Sequence, residues 1–140
     1  MNLPSLVAEN QNQQLVGVGI DVVDVADFER ISFESNPRFY SRCFTDAEIS
    51  YCRSRARPAR HFAARFAAKE AAVKAAAGIA TLLPWHFEVI RSDSGIPALR
   101  WRDRIDERHR SRLAGHRAYV SLSHGDALAT AVVVLCKEGA

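Results

Sequence analysis

Between Arg65 and Gly78 the chain reads RFAAKEAAVKAAAG, and this stretch constrains the fold more than any other. Alanine is the strongest helix former and a closing glycine is a natural C-terminal stop. The segment predicts a long helix, opened after Pro58, whose small side chains keep it slim beside a neighbouring element. Arg65, Lys69, Glu70 and Lys74 interrupt the alanines. Phe62, Phe66 and Glu70 follow one another at i+4 spacing, so Glu70 continues an aromatic row expected to face the core. Glu70 and Lys74 at i,i+4 equally suit a solvated ion pair worth about 0.3 kcal/mol, and Arg65 and Lys69 form a neighbouring pair of the same spacing.

The stretch LVGVGIDVVDV, from Leu15 to Val25, is β-branched and predicts a strand. Its period of two puts Val16, Val18, Ile20 and Val22 on one face and Gly17, Gly19, Asp21, Val23 and Val25 on the other. Asp21 thus shares a face with two glycines, which let another group approach closely. A solvent-facing carboxylate and a functional one both fit that position. Asp21 and Glu70 together make a candidate site for a hard cation. Magnesium takes one or two carboxylates and completes its octahedron with water and phosphate oxygens, which neighbouring arginine and lysine would neutralise. No spacing rule ties residue 21 to residue 70.

Elsewhere, DFERISFE predicts a helix over 27–34, stopped by Asn36-Pro37. Thr45 followed by Glu48 is a capping-box pattern opening a helix through about Arg55. WHFEVIRS predicts a strand from Trp85, a turn follows at Asp93-Ser94-Gly95, and a short strand runs through Ala98-Leu99. Asp103 to Gly115 reads as a charged surface helix, and YVSLSH and ALATAVVVLC as an antiparallel pair around His124-Gly125-Asp126. The fold class is α+β, an antiparallel sheet packed against a long helix. Residues 1–14 read as a flexible polar tail and 15–140 as a single domain. No apolar run approaches the ~20 residues of a membrane helix. The three cysteines, Cys43, Cys52 and Cys136, lack metal-ligand spacing and read as free thiols in a reducing cytoplasm. A net charge of +3 admits an acidic partner, and no nucleic-acid reader motif accompanies it.

GVGIDVVDV, RFAAKEAAVKA, SGIPAL and VSLSH, in that order between Val16 and Val134, resemble the 4'-phosphopantetheinyl transferases, in particular the small holo-[acyl-carrier-protein] synthase type. The resemblance implies that family's fold and a magnesium-dependent transfer of 4'-phosphopantetheine from coenzyme A to a serine of an acidic acyl or peptidyl carrier protein, releasing 3',5'-ADP. It implies metal binding by Asp21 and Glu70, phosphate contact by Lys74, and catalytic roles for Glu70 and Lys74. It further implies that Arg65 and His124 contact coenzyme A and that Pro97 and Leu122 line its adenine pocket. The small members are homotrimers with coenzyme A between subunits. By itself His124 reads equally as a hairpin-turn residue, and Lys69 as the partner of a nearby acid. Arg30, Arg38 and Arg42 are candidates to meet the carrier. A non-catalytic relative that only binds coenzyme A or a carrier is the alternative.

Three positions depart from the family pattern. Asp27 stands where an arginine is usual, and Glu29-Arg30-Ile31 follows three residues later than expected. KAAAGIATLLP has Gly78 alone where the family has a glycine-rich loop. Val73 precedes Lys74 where a small or hydroxyl residue is common. These point to a divergent member serving a specialised polyketide, peptide or fatty-acid pathway.

Overall fold

A computed structural model describes residues 12–139 of the chain. In chain order the elements are β1 (Gln13–Asp24), α1 (Val25–Arg30), α2 (Pro37–Cys43), α3 (Asp46–Arg53), α4 (Pro58–Ala76), β2 (Phe87–Arg91), β3 (Pro97–Trp101), α5 (Glu107–Leu113), β4 (His116–His124) and β5 (Leu128–Glu138). β1, β5 and β4 form one antiparallel sheet in that order, and β2 and β3 form a separate antiparallel pair. The α+β architecture expected from the sequence is therefore present, with two sheets rather than one. Residues 1–11 of the expected tail lie outside the described residues, and β1 already begins at Gln13.

α4 lies on the inner face of the three-stranded sheet, and its alanines are what allow it. Ala67, Ala68, Ala71, Ala72, Ala75 and Ala76 are all buried, joined in one core by Val133 and Leu135 of β5 and by Phe87 and Val89 of β2. The two glycines of β1 complete the contact. A Cβ on Gly17 would stand 1.9 Å from the carbonyl oxygen of Ala75, and one on Gly19 would stand 1.8 Å from that of Ala71. Helix backbone thus rests directly on strand backbone, which only glycine permits. A second core gathers the rings of Phe28, Tyr40, Phe44 and Phe62, with Tyr40 and Phe62 centroids 4.7 Å apart.

The predicted elements recur with shifted ends. α1 stops at Arg30, and Asn36-Pro37, read as a stop, also starts a helix: Pro37 occupies the first turn of α2, where a missing N–H costs nothing. The capping box at Thr45 and Glu48 forms as expected and opens α3. Pro84–His86 is a 3-10 turn, so the strand predicted from Trp85 begins at Phe87. α5 is shorter than its charged stretch because Asp106, accepting from the His109 N–H, caps it late. Gly78 is not the expected left-handed stop. α4 ends through bonds from the Ile79 and Ala80 N–H groups to the Ala76 carbonyl, whereas Gly95 and Gly115 carry the positive φ angles of 81° and 75°.

Candidate active site

β1 and α4 meet where Asp21 and Glu70 are. Asp21 is two residues beyond Gly19 on the same inner face, and Glu70 precedes Ala71, whose carbonyl Gly19 admits. Both carboxylates line one open groove of about 450 Å3, together with Asp24, Asp27 and the rings of Phe28, Phe39 and Phe66. The aromatic row of α4 does lead into this groove, but Glu70 is only half-buried rather than part of the core. Burial raises the Glu70 carboxyl above its usual range; the neighbouring Asp21 charge adds to that and Lys74 opposes it. Lys74 reaches across to β1, its Nζ donating to Asp21 Oδ1 at 3.1 Å and to the Ile20 carbonyl at 2.9 Å. The spacing-based pair of Glu70 with Lys74 is thus replaced by an ion pair between Lys74 and Asp21.

Asp21, Glu70 and Lys74 are brought together; Arg65 is not with them. Five residues along a helix turn a side chain by about 140°, and Arg65 is buried on the side of α4 that faces α3 and β2. There its guanidinium stacks on Tyr51, 4.2 Å from the ring centroid, and its Nε has no hydrogen-bond partner. Arg91 Nη1 donates to the Tyr51 hydroxyl at 2.5 Å. The His124 ring lies 4.9 Å from that of His61 in an edge-on arrangement. His61 is pushed down to about 4 by burial first, then by His124, Arg65, Arg55 and Arg91. Pro97 pairs with Arg91 across β2 and β3, which puts it beside this basic cluster. Leu122, two residues before His124 on β4, is half-buried and packs against the core.

Sequence reasoning missed Tyr51, His61 and Arg91. They come from α3, α4 and β2, and no local pattern joins them. Lys69 settles differently from its neighbours: it is fully buried, its Nζ donating to Glu48 Oε1 at 2.7 Å and to the Cys43 carbonyl at 2.6 Å. This is the acid-pairing role that the sequence left open. Burial lowers its pKa and Glu48 opposes the shift. Arg30 bonds to Asp27 on its own helix, Arg42 stacks 4.3 Å over Trp85, and Arg38 is exposed. Val73 spends its side chain on core packing.

Asp21 and Glu70 fit a hard cation. They are oxygen donors from two elements, they open into one groove, and an ammonium already occupies the Asp21 side. Among the described residues they are a pair and no third His, Cys, Asp or Glu joins them as a ready ligand, so water or substrate oxygens would complete the shell.

A two-carboxylate groove beside a lysine, with an arginine–histidine cluster on another face of the same helix, is compatible with handling a phosphorylated substrate. The relatives agree. Residues 17–133 match the model of the 4'-phosphopantetheinyl transferase superfamily. The holo-[acyl-carrier-protein] synthase of Geobacter sulfurreducens is 42% identical over 123 residues, covering 86% of this chain and 97% of that protein. The acyl carrier protein synthase structure from Mycobacterium tuberculosis superimposes with a TM-score of 0.68 at 33% identity, over 91% of this chain and 100% of that one. A holo-(acyl-carrier-protein) synthase from Bacillus anthracis, solved in complex with CoA (3',5'-ADP), gives a TM-score of 0.65 at 28% identity, over 89% and 98% of the two chains. With its matched segment running from Gly17 of the glycine strand to Val133 of β5, the chain belongs to the 4'-phosphopantetheinyl transferase superfamily.

Proposed function

We propose that this protein transfers 4'-phosphopantetheine from coenzyme A to a serine of an apo acyl or peptidyl carrier protein, releasing 3',5'-ADP. The observation that carries the reading is the convergence of Asp21, Glu70 and Lys74 on one groove in a chain of this superfamily. In the reaction the serine hydroxyl oxygen attacks the β-phosphorus of coenzyme A, and the bond to the 3',5'-ADP oxygen breaks in line. Asp21 and Glu70 would hold a magnesium ion, which when bound supplies neutralisation of the pyrophosphate charge. Lys74 exchanges Asp21 for a phosphate oxygen and so balances the charge that develops on the leaving group. We assign the proton that the hydroxyl loses to Glu70, the carboxylate across the groove from the Lys74–Asp21 pair.

The basic cluster is the second half of the same reading. Arg65, with its buried and unpartnered Nε, and His124 would take the 3'-phosphate, with Pro97 and Leu122 beside the adenine. That cluster and the groove open on different sides of α4, so one coenzyme A reaches both halves most simply when a neighbouring copy supplies one of them. The outer face of β1 supports such an assembly. Val18, Ile20 and Val22 are 55%, 63% and 55% exposed, and in register with Ile20 stands Val132 of β5. A bare apolar sheet face of this kind supports an interface between copies, and the homotrimer implied by the family resemblance is the assembly we propose for it. No helix among the described residues is long and apolar enough to cross a membrane. The free thiols Cys43, Cys52 and Cys136 support a reducing compartment, the cytoplasm.

The test is to incubate apo carrier proteins from the same genome with coenzyme A, magnesium and the protein, and to read intact masses. A gain of one phosphopantetheine on the carrier serine is expected. Tight carrier binding without any mass gain would overturn the transferase reading.

A further inference from the structure

The charge around the groove is divided. On the α1 side stand Asp24, Asp27, Glu29 and Glu34, against which Arg30 is the only cation from residue 24 to 34 and is already bonded to Asp27. Arg53 is likewise drawn to Glu34. An acidic partner approaching Glu70 from this side meets repulsion.

On the α2 side the sign reverses. Arg38 and Arg42 lie on α2, and the Arg42 guanidinium covers Trp85. Arg102 Nη1 donates to the Trp85 carbonyl at 3.3 Å, which joins the end of β3 to the Arg42 stack. Next to it, Arg100, Arg102 and Arg104 line an open cavity of about 380 Å3 with Thr45, Trp101, Glu88 and Asp103. Glu88 is buried and satisfied by Arg100, whose Nε donates to it at 2.7 Å, so it offers no free acid to the cavity. Arg38, Arg42, Arg102 and Arg104 have no ion pair among the described residues, and Asp103 is the one exposed acid lining the cavity. α2 also supplies Phe39 to the groove wall, so the helix that carries Arg38 and Arg42 borders the Glu70 site.

We infer that the acidic face of the carrier protein docks across α2 and the β3–α5 loop, on Arg38, Arg42, Arg102 and Arg104, and not on α1. This rests on the transfer reaction proposed above and names the surface that recognises its protein substrate. The location answers the aspartate at position 27: with α1 turned acidic, the positive surface has been rebuilt from β3 outward. Charges at the rim of an interface act mainly on encounter, so they set the KM for the carrier and its salt dependence and leave the chemical step alone.

The experiment is steady-state transfer with three variants, each at two salt concentrations. Arg104→Glu alone, and Arg102→Gln with Arg104→Glu, should raise the carrier KM by about fivefold and at least about tenfold respectively. The kcat and the KM for coenzyme A should stay within about twofold of wild type, and the salt dependence should flatten. Arg104 makes no hydrogen bond among the described residues, so its single variant keeps the fold and the test stays readable if Arg102→Gln does not. Arg30→Glu should leave the carrier KM unchanged. The inference is overturned if the Arg102 and Arg104 variants keep the wild-type carrier KM, or if Arg30→Glu raises it more than they do. Either result leaves the transferase reading standing, whereas a wild-type protein that transfers nothing to any carrier ends both.

Discussion

Replacing Gly19 by alanine probes how the fold makes the site. The added Cβ would meet the Ala71 carbonyl oxygen at 1.8 Å, the Ala71 carbonyl carbon at 2.8 Å and the Ala75 nitrogen at 2.9 Å. Non-bonded heavy atoms rest at about 3.5 Å, so α4 must retreat from β1 by roughly 1.5 Å. Overpacking ordinarily costs ~1–3 kcal/mol, and it is relieved by side chains that rotate away. Here all three obstacles are helix backbone, which places the cost at about 3 kcal/mol or above. At ~3 °C per kcal/mol for a chain of this size, the melting temperature should fall by about 10 °C. The same retreat carries Glu70 away from Asp21, so transfer should fall further than stability does at a temperature where the variant is folded. Urea unfolding and a transfer assay on the same preparation check both. A variant with the wild-type midpoint and rate would refute the backbone-on-backbone account of this site. Gly78→Ala is the internal contrast: its Cβ would meet nothing within 4 Å, and its stability should be unchanged or higher by about 0.5 kcal/mol.

Other outcomes follow from the same geometry. Lys69→Met strands Glu48 without its buried counter-charge and should cost about 3–5 kcal/mol, read as a lower urea midpoint; a wild-type midpoint would remove Lys69 from the scaffold. His61, at about 4 in the folded chain against ~6.5 unfolded, makes the unfolded state the better proton binder between those values. Stability should therefore drop as pH falls from 6.5 toward 4, and His61→Phe should flatten that slope in melts recorded across the window; an identical slope would exclude His61 as its source. Lys74→Met empties the cation position on Asp21 and should let the protein bind manganese more tightly in calorimetry without coenzyme A, where equal or weaker binding would show that Lys74 does not hold that position.

Much of this site was legible because its residues sit in strongly periodic segments. The alternation of β1 put Asp21 on the glycine face, and the i+4 row of α4 put Glu70 after two aromatics; the glycines and alanines then bring the two together. What stayed hidden depends on long-range contact. Tyr51 and Arg91 meet across 40 residues, and no local spacing encodes that. Lys74 turned to Asp21 rather than Glu70 because β1 offers both a carboxylate and the Ile20 carbonyl. α2 was lost because Asn36-Pro37 both ends one segment and begins the next. Arg30, read as a surface cation, is taken up by Asp27 three residues earlier. The alternation of β1 did not say which face is inner; Val16, Val18, Ile20 and Val22 face outward, since the small residues opposite them are what α4 can rest on.

The most direct test of the account is single-turnover transfer by Asp21→Asn and Glu70→Gln, read as the intact mass of the carrier with circular dichroism on each variant. Both should keep the wild-type spectrum and lose at least about 100-fold in rate. A folded variant of either residue that transfers within about threefold of wild type would contradict the assignment of the reaction to this groove.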